Sequence, residues 1–440
     1  MDFRNETLYA AIRAYVAAAI EFIARKAEQE ASRLSISQED DYFAHCWTHA
    51  LYESDLSEVP EYGAALRELC GDLEISRQLD ANVGSYNRGT HTPSAARMMR
   101  YALGLGRREE QYVFNPGRFD VEYSAFEEIF YNDRMRCVAV APLQGLVMED
   151  AVVPLSNGLE VRRLIKEEMA PYRTPGSVWE DEWCAVRATY EIPKLVGTGG
   201  EDRFKAMTLE ERNKGRKKED AAEEEANDRI EDVINALRLY GMFTVYHSGI
   251  MHLTPKWLFI GSHSVPNRVL GERMITYQFG SEGDVRFFPP FWSKLENPKV
   301  KKELGTAVRR FSYSCVRHLN EDKIIDLMIA AEALFLRGTR EGEKRFRLAF
   351  RAGLFLGADQ AARKEVYNRM KKAYDLRSTL VHGGSNPSLR RSRGEITEND
   401  KLIGAVGDDV RNGILKAIEI LSAPDAVILD DAYWDKLTFI

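Results

Sequence analysis

The chain of 440 residues is predicted to be an α+β, multi-domain protein in three parts. A mostly helical N-terminal region covers 1–133, a mixed, β-rich middle domain covers 134–298, and an all-α helical bundle covers 299–440. Three observations carry this. Apolar residues recur at helical spacing through the first 130 positions, short β-branched and aromatic runs with period-two alternation follow, and helical spacing returns after Asn297-Pro298. At 44% apolar and 29% charged, the chain can bury two or three ordinary cores, which excludes disordered and collagen-like classes.

Tyr9, Ile12, Tyr15, Val16, Ala19, Ile20 and Ile23 form the apolar stripe of an opening helix over Glu6 to Leu34, which stops at the polar run Ser35 to Asp41. Further helices are expected at 41–52, 63–73, 94–103 and 123–131, between Gly, Pro, Asn and Ser punctuation. In the middle domain, strands are expected at 136–146, 151–154, 159–164 and 183–192, then at 242–247, 258–263, 274–279 and 284–288. Between these two sets, Gly197 to Glu225 is charged and poor in apolar residues; its first part reads as a loop and its last part feeds a helix over 226–239. Helices then follow at 300–318, 321–337, 342–356, 360–382 and 402–422. The second of these, EDKIIDLMIAAEALFLR, is apolar nearly all round and so belongs at the centre of the bundle.

The net charge of −7 is unevenly distributed. Residues 1–300 hold 36 Lys and Arg against 48 Asp and Glu, whereas residues 301–400 hold 21 against 13. Such a basic segment attracts phosphate-rich ligands, although a solvated helical surface has the same composition. Five scattered cysteines, with no C-x-x-C pair, fit neither a disulfide framework nor a cysteine zinc site, and a reducing cytoplasm is expected. Asp2, Arg4, Glu6, Arg13 and Glu21 interrupt the N-terminal apolar stretch, so neither a signal peptide nor a membrane span is expected. No Gly-x-x-x-x-Gly-Lys-Ser/Thr loop or Gly-x-Gly-x-x-Gly turn occurs, and no cofactor or metal is expected.

The chemistry-bearing run is Tyr374-Asp375-Leu376-Arg377-Ser378-Thr379-Leu380-Val381-His382-Gly383-Gly384. It sets an arginine five residues before a histidine at a glycine stop. Five residues turn an ideal helix by roughly 500°, so the two side chains would point about 140° apart and converge only where the last turn frays. Histidine ionises near neutrality and can take a proton from a 2′-hydroxyl. A guanidinium meets the developing charge of a phosphorane with two hydrogen bonds. The alternative is structural: Arg377 pairs with Glu332, and His382 merely ends a helix.

The segments LRSTLVHGG and IIDLMIAAEALFL resemble the Apea-like branch of the HEPN families, best over about 300–425. The resemblance implies a dimerising helical bundle and, in many members, a metal-independent ribonuclease that serves as a toxin or an antiviral abortive-infection effector. Arg377 and His382 fall on the two ends of the family motif, and Glu332 falls on an acidic position common in the earlier helix. Ser378 stands next to the arginine, where active members often carry Asn, Asp or His. The expected catalytic set is Arg377, His382, Glu332 and Ser378, with RNA as substrate and 2′,3′-cyclic phosphate ends as product. A two-fold homodimer along helix 360–382 would supply two histidines, one as base and one as acid. Arg390, Arg391 and Arg393, in the loop after the motif, are expected to hold the RNA backbone. The acidic N-terminal two thirds are expected to regulate the bundle, with a phage protein as a possible trigger. The rival reading is an inactive bundle serving as a dimerisation and RNA- or protein-binding module.

Two other patterns carry less. His45 and His49 have metal-ligand spacing but no close third ligand, and Lys214 to Lys218 is a basic run followed at once by acidic residues. His247 and His252 flank a turn and are assigned no role.

Overall fold

The computed structural model describes residues 3–29, 56–79, 86–87, 92–103, 107–108, 111–148, 152–164, 184–196, 200–247, 249–253, 277–337, 343–382, 397–425 and 427–438. The protein is a predominantly helical α+β chain with a small antiparallel sheet. It divides into two compact units. The first comprises Met1–Pro142, Leu164–Arg229 and Gly249–Arg268, and the second comprises Leu143–Arg163, Ile230–Ser248 and Val269–Ile440.

In chain order the main elements begin with α1 (Glu6–Gln29), α2 (Tyr62–Gly71), α3 (Leu73–Ser76), α4 (Ala95–Ala102) and α5 (Pro116–Tyr131). The strands β1 (Arg134–Gln144), β2 (Leu146–Met148), β3 (Val153–Pro154), β4 (Leu159–Arg163) and β5 (Cys184–Pro193) follow. Next come α6 (Gly200–Ala206), α7 (Leu209–Gly241), β6 (Tyr246–His247), β7 (Met251–Leu253) and β8 (Tyr277–Phe279). The chain then runs through α8 (Glu282–Glu296), α9 (Pro298–Val316), α10 (Asn320–Phe335), α11 (Lys344–Leu356), α12 (Gln360–Val381), α13 (Glu398–Ser422) and α14 (Asp431–Thr438). Two short antiparallel strand pairs, Tyr86–Asn87 with Thr92–Pro93 and Arg107–Arg108 with Gln111–Phe114, add β-structure that the helical reading of 1–133 did not anticipate.

In the first unit, α1 buries Leu8, Ile12, Tyr15, Val16, Ala19, Ile20 and Ile23. Over Glu6–Arg25 this helix is long and apolar enough to cross a membrane by length and composition, a test that a buried core helix also passes. Its stripe is nonetheless filled by the chain itself, with Tyr15 edge-on to Tyr62 at 5.6 Å. Asn5 caps the helix by accepting from Leu8 N at 2.9 Å, and its amide donates to Asp72 at 3.0 Å. Asp72 also caps α3 and accepts from Tyr131 Oη at 2.7 Å, so one carboxylate ties three helices together. On β1, Cys137, Ala139, Val140 and Ala141 are buried in a near-continuous run, the pattern of a strand covered on both faces. β7 pairs antiparallel with it, Met251 opposite Val140, and β5 is its other neighbour.

In the second unit, α10 is the central helix, as its all-round apolar sequence predicts. Ile324, Leu327, Met328, Ala330, Ala331, Leu334 and Phe335 are all buried. α9 packs on it through Asp326, a buried carboxylate held by Arg310 at 2.9 Å and Arg317 at 2.7 Å. α11 and α12 form a tight antiparallel hairpin. A Cβ on Gly353 would lie 2.8 Å from the carbonyl oxygen of Arg363, so only glycine permits this approach. Arg369 of α12 closes two hydrogen bonds on Asp409 of α13, at 2.7 and 2.9 Å.

Three expectations are corrected. Residues 284–288, expected as a strand, lie in α8: Ser281 and Asp284 form a capping box, and Val285 and Phe287 point to solvent while Phe288 is buried. The expected loop from 197 is helical from Gly200 to Ala206 and again from Leu209, where Thr208 accepts from Glu211 N and Glu211 accepts from Thr208 N. The strand expected over 136–146 is broken at Gly145, whose φ of 85° turns the chain into β2, which pairs parallel with β8. The α14 helix, anchored by buried Trp434, was not anticipated. The expected helix 41–52, the strand 258–263, His45, His49 and the loop carrying Arg390, Arg391 and Arg393 lie outside the described residues.

Candidate functional site

The site is built on the last turns of α12 and the facing stretch of α10. Asp359 caps the start of α12 by accepting from Ala362 N, and the helix runs without interruption to Val381. His382 leaves it at φ −87°, ψ 16°, its N–H donating to the Ser378 carbonyl at 3.1 Å in an ordinary helical bond, so the final turn does not widen. The His382 side chain is exposed and makes no hydrogen bond to any described residue. Ser378 is half-buried one turn earlier.

Arg377 points inward. Its Nη1 lies 3.7 Å from Glu332 Oε1, an ion pair too long for a hydrogen bond, with both side chains about a quarter exposed. The guanidinium lies 6.0 Å from the ring of Tyr374, and its Nε is buried without a described partner. Other arginines in these helices differ. Arg310, Arg317, Arg351 and Arg369 each close on a carboxylate at 2.7–2.9 Å. Arg377 therefore keeps donor capacity that a bound oxyanion could take up. The structure brings Arg377 and Glu332 together as the sequence suggested, and leaves His382 on the solvent side of the same helix end.

Sequence reasoning gave His247 and His252 no role, but both are engaged. In the second unit, His247 Nε2 is 2.7 Å from Glu231. Burial opposes ionisation of the Glu231 carboxyl, yet the hydrogen bond with His247 and the charges of His247 and Arg238 together outweigh it and lower the pKa. In the first unit, His252 joins Tyr190 Oη at 2.7 Å and Asn227 Oδ1 at 3.0 Å. Burial pushes the neighbouring Cys137 thiol up to about 12, so this thiol stays protonated. Buried Arg238 donates to the Val245 carbonyl and, at 2.9 Å, to Ser312 Oγ, locking the end of α7 to α9. These networks satisfy buried polar groups, and the isolated positions of their residues in sequence gave no signal of them. Among the described residues, no group of three His, Cys, Asp or Glu has metal-binding geometry.

No protein family, curated protein or solved structure matches the chain.

Proposed function

We propose that the C-terminal helices form a HEPN-like, metal-independent endoribonuclease acting in the cytoplasm as an antiviral, abortive-infection effector. The observation that carries this reading is the contrast between Arg377, held at 3.7 Å by Glu332, and the close-paired arginines around it. In the proposed reaction, His382 removes the proton from a 2′-hydroxyl, whose oxygen attacks the adjacent phosphorus. Arg377 meets the added charge on the non-bridging oxygens, with Glu332 positioning it. The bond to the 5′-oxygen breaks, and His382 of a second copy protonates that leaving oxygen. The products are a 2′,3′-cyclic phosphate and a 5′-hydroxyl, and the second histidine makes a homodimer part of the proposal.

Residues 1–298 are the proposed regulatory part, with a phage protein as the proposed trigger. The motivation is their acidic balance against the basic 301–400 segment. A second reading, an inactive bundle used for dimerisation and binding, is favoured by Ser378 beside the arginine. Analysis of RNA ends separates the two. Incubation with RNA in excess EDTA yields cyclic-phosphate ends under the first reading and intact RNA under the second, with His382→Ala as the control.

A further inference from the structure

The hairpin of α11 and α12 presents a continuous row of rings and cations. Phe346, 47% exposed, stacks on Phe350 with centroids 5.5 Å apart and planes 12° apart. Its edge meets Tyr367 at 6.2 Å, and the Lys371 ammonium lies 5.6 Å from the Tyr367 ring centre. Along α12, Tyr367, Lys371, Tyr374 and Arg377 follow at spacings of four, three and three, which places them on one helix face over about 15 Å.

Phe346 lies half in water among the basic residues of the hairpin, so rings and cations share one face that is open to a ligand. Two chemistries could cover it. A second copy meeting this face about a two-fold axis would set cation against cation, a repulsive arrangement, so the homodimer of the proposed reaction would use another face of α12. Asp375 pairs with Arg345 and Glu332 with Arg377, which leaves Lys371 and Arg347 as the cations that carry the charge of the row. Among the described residues, no carboxylate forms an ion pair with Lys371 or with exposed Arg347. A flexible polyanion with flat apolar faces complements both properties, since its bases stack on the rings while its phosphates meet the cations.

We infer that this face is a track for single-stranded nucleic acid: Phe346 and Tyr367 take bases, Lys371 takes the backbone, and the strand runs toward Arg377. The direction of the track rests on the ribonuclease reading of Arg377, whereas the track itself rests on the ring and charge pattern.

The test is fluorescence anisotropy of the full chain with labelled eight-nucleotide single-stranded RNA and DNA in EDTA, from 50 to 300 mM salt. The DNA arm reports binding without cleavage, because DNA lacks the 2′-hydroxyl. Phe346→Ala and Tyr367→Leu are each expected to weaken binding about tenfold. Lys371→Gln should reduce the slope of log affinity against log salt by about 0.7. Phe287→Ala, which removes a comparably exposed ring on α8, should bind as wild type. Circular dichroism checks that each variant is folded. Wild-type affinity in folded Phe346→Ala and Lys371→Gln overturns the track, as does absence of binding at 50 mM salt. Phe346→Ala that changes the dimer content in light scattering but binds normally also overturns it, and identifies the face as a contact between copies. Cleavage of RNA with wild-type binding in these variants refutes the track while sparing the ribonuclease. Stripe-dependent DNA binding without RNA cleavage does the reverse.

Discussion

Arg377 lies 3.7 Å from Glu332, whereas Arg369, two turns earlier on the same helix, grips Asp409 with two hydrogen bonds of 2.7 and 2.9 Å. The two arginines are similarly exposed, at 24% and 22% of the side chain, so burial does not account for the difference. One is committed to holding α12 on α13. The other keeps donors free at the helix end beside His382.

This predicts opposite phenotypes. Arg369→Ala leaves Asp409 buried without its partner and should cost about 3 kcal/mol in urea unfolding. Arg377→Ala, which breaks a loose and partly solvated pair, should cost under about 1 kcal/mol and abolish RNA cleavage instead.

Asp72 predicts an acid transition in the first unit. Burial alone would raise its pKa, but hydrogen bonds from Tyr131, Ile75 N, Asn5 and Glu74 N outweigh it, and the folded pKa lies below the ordinary value of 3.8. A depressed carboxylate contributes stability above its unfolded pKa and loses it as pH falls through the folded value. Asp72→Ala should therefore be less stable than wild type at pH 7, by about 1–3 kcal/mol for the four hydrogen bonds lost. The gap should narrow as pH falls below 3.8, which acid titration followed by circular dichroism measures.

Lys194 predicts an effect of the same sign at alkaline pH. Its ammonium donates to Gln78 Oε1 at 2.8 Å and to the carbonyls of Ile129 and Phe130, capping the end of α5. Burial nevertheless lowers its pKa to about 8, against 10.5 for a free lysine. Between these values the unfolded chain holds more protons, so the lysine's contribution to stability rises with pH from about 8 to 10.5. The stability difference between wild type and Lys194→Met, measured by urea unfolding at pH 7.5 and 9.5, should shift in favour of wild type at the higher pH.

Gly353 predicts a packing defect. Alanine there places Cβ 2.8 Å from the backbone oxygen of Arg363, which cannot swing aside as a flexible side chain would. Gly353→Ala should destabilise by about 1–3 kcal/mol, read in chemical unfolding, and should loosen the aromatic row of the hairpin.

The helices that carry the site were legible in sequence because their signals are local and strong. The apolar positions of α10 and the Asp359 cap of α12 are visible without tertiary context. The caps at Thr208 and Ser281 are equally local, yet charge density masked the first and an apparent alternation through Val285 and Phe287 masked the second. The two-residue strands near 86–93 and 107–108 depend on pairing between short segments and leave no periodic trace. The pairing of Arg377 with Glu332 was legible because an acidic residue on an otherwise apolar helix must have a partner. That Arg377 stays loosely held, while Arg310, Arg317 and Arg369 are gripped, depends on interhelical spacing that no single helix encodes.

The central claim is tested most directly by the rate of RNA cleavage by purified protein in excess EDTA, compared among wild type, Arg377→Ala and His382→Ala. The account predicts cleavage by wild type and losses of about a hundredfold or more in each variant. Cleavage by both variants at the wild-type rate would contradict it.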